Sequence, residues 1–215
     1  MPARTGTRQL ILEAAVTCIE RDGLEKVTTR KIAQEAGTNI ASINYYFRSK
    51  DELVAKVLEM TIRHMLQDVV TAIEDAQQSF ETTLRSVIFY LFDGSRRFPG
   101  VSRAHLRQAI SGERNGSISA RAMRRVFDRL VQRANSTYPR KDPSLVRLRL
   151  SQVLSSILFA MLTPDFFSIP RQLRPVNVRN AEVLADSYTV LFLHSLDAPQ
   201  SSGVRAASRT RRGGV

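Results

Sequence analysis

The sequence predicts an all-α protein: a small three-helix domain with a helix-turn-helix, joined by a long helix to a larger helical body. Three observations carry this expectation. Apolar residues recur at three- and four-residue steps along most of the chain. Helix-start residues and Gly or Pro breaks punctuate that period. No stretch alternates apolar and polar residues persuasively enough for a strand, and no internal repeat is visible.

The first segment, about Thr5 to Arg21, sets Leu10, Ile11, Ala14, Ala15, Cys18 and Ile19 at helical spacing, and Asp22-Gly23 ends it. Thr28 to Lys50 (TTRKIAQEAGTNIASINYYFRSK) then reads as two short helices meeting at a tight turn, with the helix-turn-helix at about 28–47. Ile32, Ala33 and Ala36 share one face of the first helix, and Thr28 suits its start. Gly37 suits the reversal, because a residue without Cβ takes the left-handed conformation at little cost. Thr38 or Asn39 can cap the second helix, in which Ile43 and Phe47 point inward at i and i+4. Its outer face then carries Asn39, Ile40, Ser42, Asn44, Tyr45 and Tyr46, a surface suited to contact.

Ser49-Lys50-Asp51-Glu52 reads as a capping box opening a long helix to about Asp75, with Leu53, Val57, Met60, His64, Met65, Val69 and Ile73 in period. Further helices are expected at about Glu81–Phe92, Ser102–Ile110 and Ser117–Asn135, separated by Phe98-Pro99-Gly100 and a loop at Gly112–Gly116. The segments at about 144–162 and 178–196 combine wide apolar faces with Ser and Ala, which allow close helix approach. Paired with their copies about a two-fold axis, they would form a four-helix homodimer interface. Residues 1–50, 51–197 and 198–215 are thus expected as the small domain, the body and a basic disordered tail rich in Gly, Ser and Arg.

The formal charge of +12 and pI near 10.8 point to a polyanionic partner. Residues 1–50 carry eight Lys/Arg against five Asp/Glu, and 201–215 four Arg and no acid. From Arg96 to Arg149 there are 14 Lys/Arg but only Glu113, Asp128 and Asp142 as acids; Arg103, Arg107, Arg121 and Arg125 are candidates to receive an anionic ligand such as an acyl-coenzyme A phosphate. No run of 18 apolar residues and no N-terminal apolar stretch occurs, so neither a membrane span nor a signal peptide is expected. With the single Cys18 read as a small buried hydrophobe, a reducing cytoplasm fits. An enzyme is not expected: the three histidines are far apart, one cysteine cannot build a thiolate metal site, and the common phosphate, nucleophile and zinc motifs are missing. No cofactor is expected either.

The leading helix, T-T-x-x-I-A-x-x-A-G, a helix ending in Y-Y-F, and S-K-x-x-L together resemble the DNA-binding domain of TetR-type transcriptional regulators, over about Thr5 to Leu58. That resemblance implies a homodimer on a palindromic double-stranded DNA operator, usually a repressor, released when a small-molecule effector enters the larger domain. It sets Asn39, Ile40, Ala41, Ser42, Asn44 and Tyr45 near base edges or the groove floor, and Thr28, Thr29, Tyr46 and Lys50 near phosphates. The chemistry agrees: Asn44 can pair bidentately with adenine, Ile40 can meet a thymine methyl, and Tyr46 and Lys50 can donate to phosphate. Two positions depart from the family pattern. Asn44 stands where an aromatic is common and Thr38-Asn39 where Val-Ser is common, so no operator sequence can be borrowed. In the body, Met60, His64, Met65, Phe89, Phe92, His105 and Arg107 are the expected pocket for a hydrophobic or acyl-CoA-like effector. The rival expectation is a nonspecific architectural DNA-binding protein, suggested by the charge and the arginine tail.

Overall fold

The computed structural model describes residues 6–110, 117–163, 170–171 and 174–197. Among the described residues the chain is all-α, with nine helices, one short 3-10 turn and no strand. The helices are α1 (Thr7–Asp22), α2 (Thr29–Glu35), α3 (Ile40–Tyr46), α4 (Lys50–Glu74), α5 (Phe80–Arg97), α6 (Pro99–Ile110), α7 (Ile118–Thr137), α8 (Pro143–Leu162) and α9 (Val178–Asp197). The tail 198–215 and the expected loop at Gly112–Gly116 lie outside the described residues.

Local chemistry explains where the helices start. Thr28, Asn39, Ser49, Ser79, Ser117 and Asp142 each precede a helix and accept a backbone N–H of its first turn through the side chain. The capping box at α4 differs from expectation by one residue. Glu52 N–H donates to Ser49 Oγ at 3.0 Å, but the Glu52 carboxylate accepts from Arg48 N–H, at 3.2 Å, rather than from Ser49. Proline explains a second shift: α6 begins at Pro99 rather than at Ser102, because a helix start tolerates the missing N–H and fixed φ, and α5 runs on to Arg97 rather than ending at Phe92.

Two apolar cores form. In the smaller, Ile11, Ala15, Cys18 and Ile19 of α1 meet Ile32 and Ala33 of α2, Ile43 of α3, Phe47, and Leu53, Val57 and Leu58 of α4. The first two turns of α4 therefore belong to this core, and so do Val101 and Ala104 of α6. The larger core gathers Val69, Ile73, Leu84, Ile88, Phe92, Leu130, Val146, Leu150, Ile157, Ala185 and Phe192 from α4, α5, α7, α8 and α9. Burial on this scale, at roughly 1.5–3 kcal/mol per large apolar side chain, is the main term holding each unit together.

α6 joins the two. Gly100 is fitted against α1 so closely that a Cβ there would lie 2.5 Å from the Ile19 carbonyl oxygen and 2.7 Å from the Glu20 Cα. Only glycine allows that approach.

α8 bears on the expectation of no membrane span. Although it lacks an uninterrupted apolar run, Pro143–Met161 is long and apolar enough on average to cross a membrane by length and composition. In this fold it packs against α7 and α9, and Arg147 within it reaches Asp128 of α7 at 2.7 Å. Its apolar residues serve the body core on one side and leave Leu148 and Phe159 exposed on the other.

Candidate functional site

The turn between α2 and α3 is closed by Gly37 at φ 62°, a left-handed conformation that favours glycine. α3 is then pinned from beneath by Ile43 and Phe47, both fully buried, and the Arg8 guanidinium of α1 lies 5.3 Å from the Phe47 ring centre. Arg21–Glu35 and Lys31–Asp22 ion pairs brace α1 against α2, at 2.7 and 2.8 Å. Being exposed, they orient more than they stabilise. α3 is thus a short helix whose inner face is fixed by packing and whose outer face is open.

Its outer face divides into two groups. Asn39 Oδ1 accepts Ser42 N–H at 2.8 Å and the Ser42 hydroxyl at 3.1 Å, so both side chains are partly spent on holding the first turn. Thr28 is similarly occupied, accepting Lys31 N–H at 3.2 Å. Asn44 and Tyr45, by contrast, are exposed and their side chains have no hydrogen-bond partner among the described residues. Tyr45 is 83% exposed and Ile40 43%, both large apolar surfaces presented to solvent. Tyr45 and Tyr46 stack edge to face at 5.0 Å, which limits the conformations open to both rings. Ala41 is exposed beside them, while Thr29 and Lys50 are half-buried at the starts of α2 and α4. Of the ten residues singled out from the sequence, nine therefore lie on α2, α3 or the caps before them, and Lys50 opens α4.

Behind this domain the body contains a cavity of about 750 Å³. Four expected residues line it: His64, Met65, Phe89 and His105. Met60 does not, because it packs on the small-domain core. Nor does Phe92, which is fully buried in the larger core with its ring 5.7 Å from that of Tyr188. Arg107 points out and pairs with Glu25 of the 3-10 turn. Of the four arginines considered for an anion, Arg103, Arg107, Arg121 and Arg125, none lines the cavity; Arg97 and Arg124 do. Sequence reasoning also missed Thr61, Leu106, Phe127, Leu154 and Leu158. Their helical spacing was visible, but which of several apolar faces would meet across a void is decided by helix packing. Val16 of α1 and Val101 of α6 line the cavity too, so its wall includes the small domain.

His105 is the buried polar feature of this cavity. Its Nε2 lies 2.8 Å from Thr61 Oγ1 and its Nδ1 2.8 Å from Ser119 Oγ, whose hydroxyl donates to Gln108 Oε1 at 2.6 Å. Burial pushes its pKa down to about 4, so the ring is neutral at pH 7. Tyr90, also on the wall, donates to Asp68 at 2.8 Å, and burial together with that carboxylate pushes its phenol up to about 12.

Comparison with known proteins agrees with this geometry. Residues 11–57 match the family described as bacterial regulatory proteins, tetR family. Over 208 residues, 94% of this chain and 95% of the relative, the chain is 24% identical to the HTH-type transcriptional regulator BetI of Agrobacterium fabrum. The structure of the fatty acid degradation regulator FadR from Bacillus halodurans superposes with a TM-score of 0.67, at 13% identity, over 92% of this chain and 100% of that one. The transcriptional regulator FadR from Bacillus subtilis, in complex with stearoyl-CoA, gives 0.59 at 13% identity over 86% and 97%. At such identities the structural likeness speaks for the fold. Residues 11–57 thus carry a DNA-binding domain similar to that of the bacterial regulatory proteins of the tetR family, and the chain as a whole shares its all-helical fold with solved regulators.

Proposed function

We propose that this regulator is a cytoplasmic homodimeric repressor that holds a palindromic operator and releases it when a small apolar molecule occupies the body cavity. The observation that carries the reading is the double attachment of α6. One face of it walls the cavity through Val101, Ser102, His105 and Leu106, while its first turn is docked on α1 of the DNA-binding domain. A molecule that needs the cavity wider must move α6, and α6 cannot move without α1.

In this reading Asn44, Tyr45 and Ile40 read bases, Asn39, Ala41 and Ser42 shape the approach of α3 to the groove, and Thr28, Thr29, Tyr46 and Lys50 engage phosphates. The dimer forms through α8 and α9, on which Leu148, Phe159, Val183, Val190 and Leu191 are exposed in the single chain. Two recognition helices in successive major grooves require a separation of about 34–36 Å, and effector binding alters it. By linkage, operator then weakens effector binding by the same factor.

Competition tests the reading against an architectural role. A regulator holds one site about 10³-fold or more tighter than random DNA, whereas a coating protein does not discriminate. A retardation assay with excess random competitor should preserve the specific complex; its loss in proportion to competitor mass would favour the architectural reading.

An acyl-CoA-type effector is the second reading. It is supported by Arg97 and Arg124 on the cavity wall and by the stearoyl-CoA held in the Bacillus subtilis FadR structure. Displacement of operator by a long-chain acyl-CoA, but not by free coenzyme A, would support it.

A further inference from the structure

The hydrogen bonds around His105 fix which proton the ring carries. The Ser119 hydroxyl spends its proton on Gln108 Oε1, at 2.6 Å, so Ser119 Oγ meets the ring as an acceptor and Nδ1 must be the donor. A neutral imidazole has one N–H, which leaves Nε2 as a bare acceptor. Ser119 is fully buried and does not line the cavity, whereas Thr61, beside Nε2, does. The acceptor side of the ring therefore faces the void.

Thr61 is a replaceable partner there. Its hydroxyl lies 3.0 Å from the Val57 carbonyl and 3.3 Å from that of Leu58, and can donate to either. When another donor takes Nε2, Thr61 turns to its own helix and no buried polar group is left unsatisfied. The surroundings are otherwise mainly apolar, with Met65, Leu106, Phe127 and Leu158 on the wall.

Resting on the reading of this cavity as the effector site, we infer that the effector class is an uncharged apolar molecule bearing one hydroxyl or N–H group, which donates to His105 Nε2 in place of Thr61. A carboxylate at the same point would set its lone pairs against that of the ring, so it is disfavoured there. The arginines at 97 and 124 stand apart from this role.

Three compounds of matched size test it on the full chain at neutral pH by titration calorimetry: 1-decanol, its isomer methyl nonyl ether, and decanoate. The expected result is an alcohol bound about tenfold tighter than either of the others, as one net hydrogen bond supplies. His105→Phe, which keeps a ring but no acceptor, should bring alcohol and ether within about threefold; Thr61→Val should keep the preference, since the ring acceptor remains. Equal binding of alcohol and ether to the unaltered chain, tightest binding of decanoate, or a preference that survives His105→Phe would each overturn the inference while leaving the cavity as a binding site. Binding of none of the three would overturn the cavity reading itself, and this inference with it.

Discussion

The Glu20 carboxylate accepts the backbone N–H of Gly100, at 2.9 Å, and through its other oxygen that of Val101, at 2.7 Å. A charged side chain from α1 thereby occupies the open N-terminus of α6, where unpaired N–H groups and the helix dipole favour an anion. With Gly100 seated on the Ile19 carbonyl, this is a rigid joint between the DNA-binding domain and the wall of the cavity.

Gly100→Ala should break that joint. Its Cβ would meet backbone at 2.5 Å, which no rotamer change relieves, so a loss of about 1–3 kcal/mol is expected for overpacking. Denaturant unfolding checks the magnitude. Glu20→Gln, which keeps the shape and loses the charge, should retain operator binding yet weaken the effect of effector on it; unchanged coupling would dissociate the joint from regulation.

Asn44→Ala should lower affinity for the preferred site by about 1–3 kcal/mol and relax preference at one base pair in each half-site. Lys50→Ala should weaken all sequences alike and reduce the salt dependence by about one charge. Measuring both variants on specific and random duplexes at several salt concentrations separates the two roles. An Asn44→Ala variant that weakens all sequences equally would refute base reading by that residue.

Stability should fall on acidification through a window set by His105. Its folded pKa, about 4, is below the ordinary 6.5, so the unfolded chain takes up a proton that the folded chain declines. Stability is therefore full above about pH 6.5 and lost as the pH falls towards 4, by roughly 3 kcal/mol in all. His105→Gln should flatten this slope in unfolding measured between pH 7 and 4. Asp22, Glu59 and Asp197 are each held below their ordinary values, chiefly by hydrogen bonds from Lys31, Lys56 and Lys141, and they lose stability at lower pH in both proteins alike.

Leu191→Glu tests the proposed dimer. Leu191 is 53% exposed, so a charge there should leave the fold of one chain intact. Sedimentation should show a shift to monomer with helicity by circular dichroism unchanged, and specific DNA affinity should fall with it. A dimer that persists would move the interface elsewhere.

The small domain was legible in the sequence because its signals are local. Thr28, Gly37, Asn39 and Ser49 are turn and cap residues whose chemistry acts within four positions, and Ile43 and Phe47 share a face by spacing alone. The cap role of Asn39 was less visible: capping and base contact call for the same side chain, and only the bond from Ser42 shows that Oδ1 is spent on the cap. The cavity was legible only in part. Phe92 and Phe89 look alike in sequence, yet one enters the core and the other the wall, since that depends on how α5 rotates against α9. The link between Glu20 and Gly100 spans 80 residues, and no periodicity within either helix could announce it.

The most direct test of the central claim is selection of bound duplexes from a random pool by the intact chain, followed by footprinting of the enriched site. The account predicts a palindrome with half-sites about one helical turn or a multiple of it apart, each protected on the major-groove side. Enrichment of no sequence, or of a single asymmetric site bound fully by a stable monomer, would contradict it.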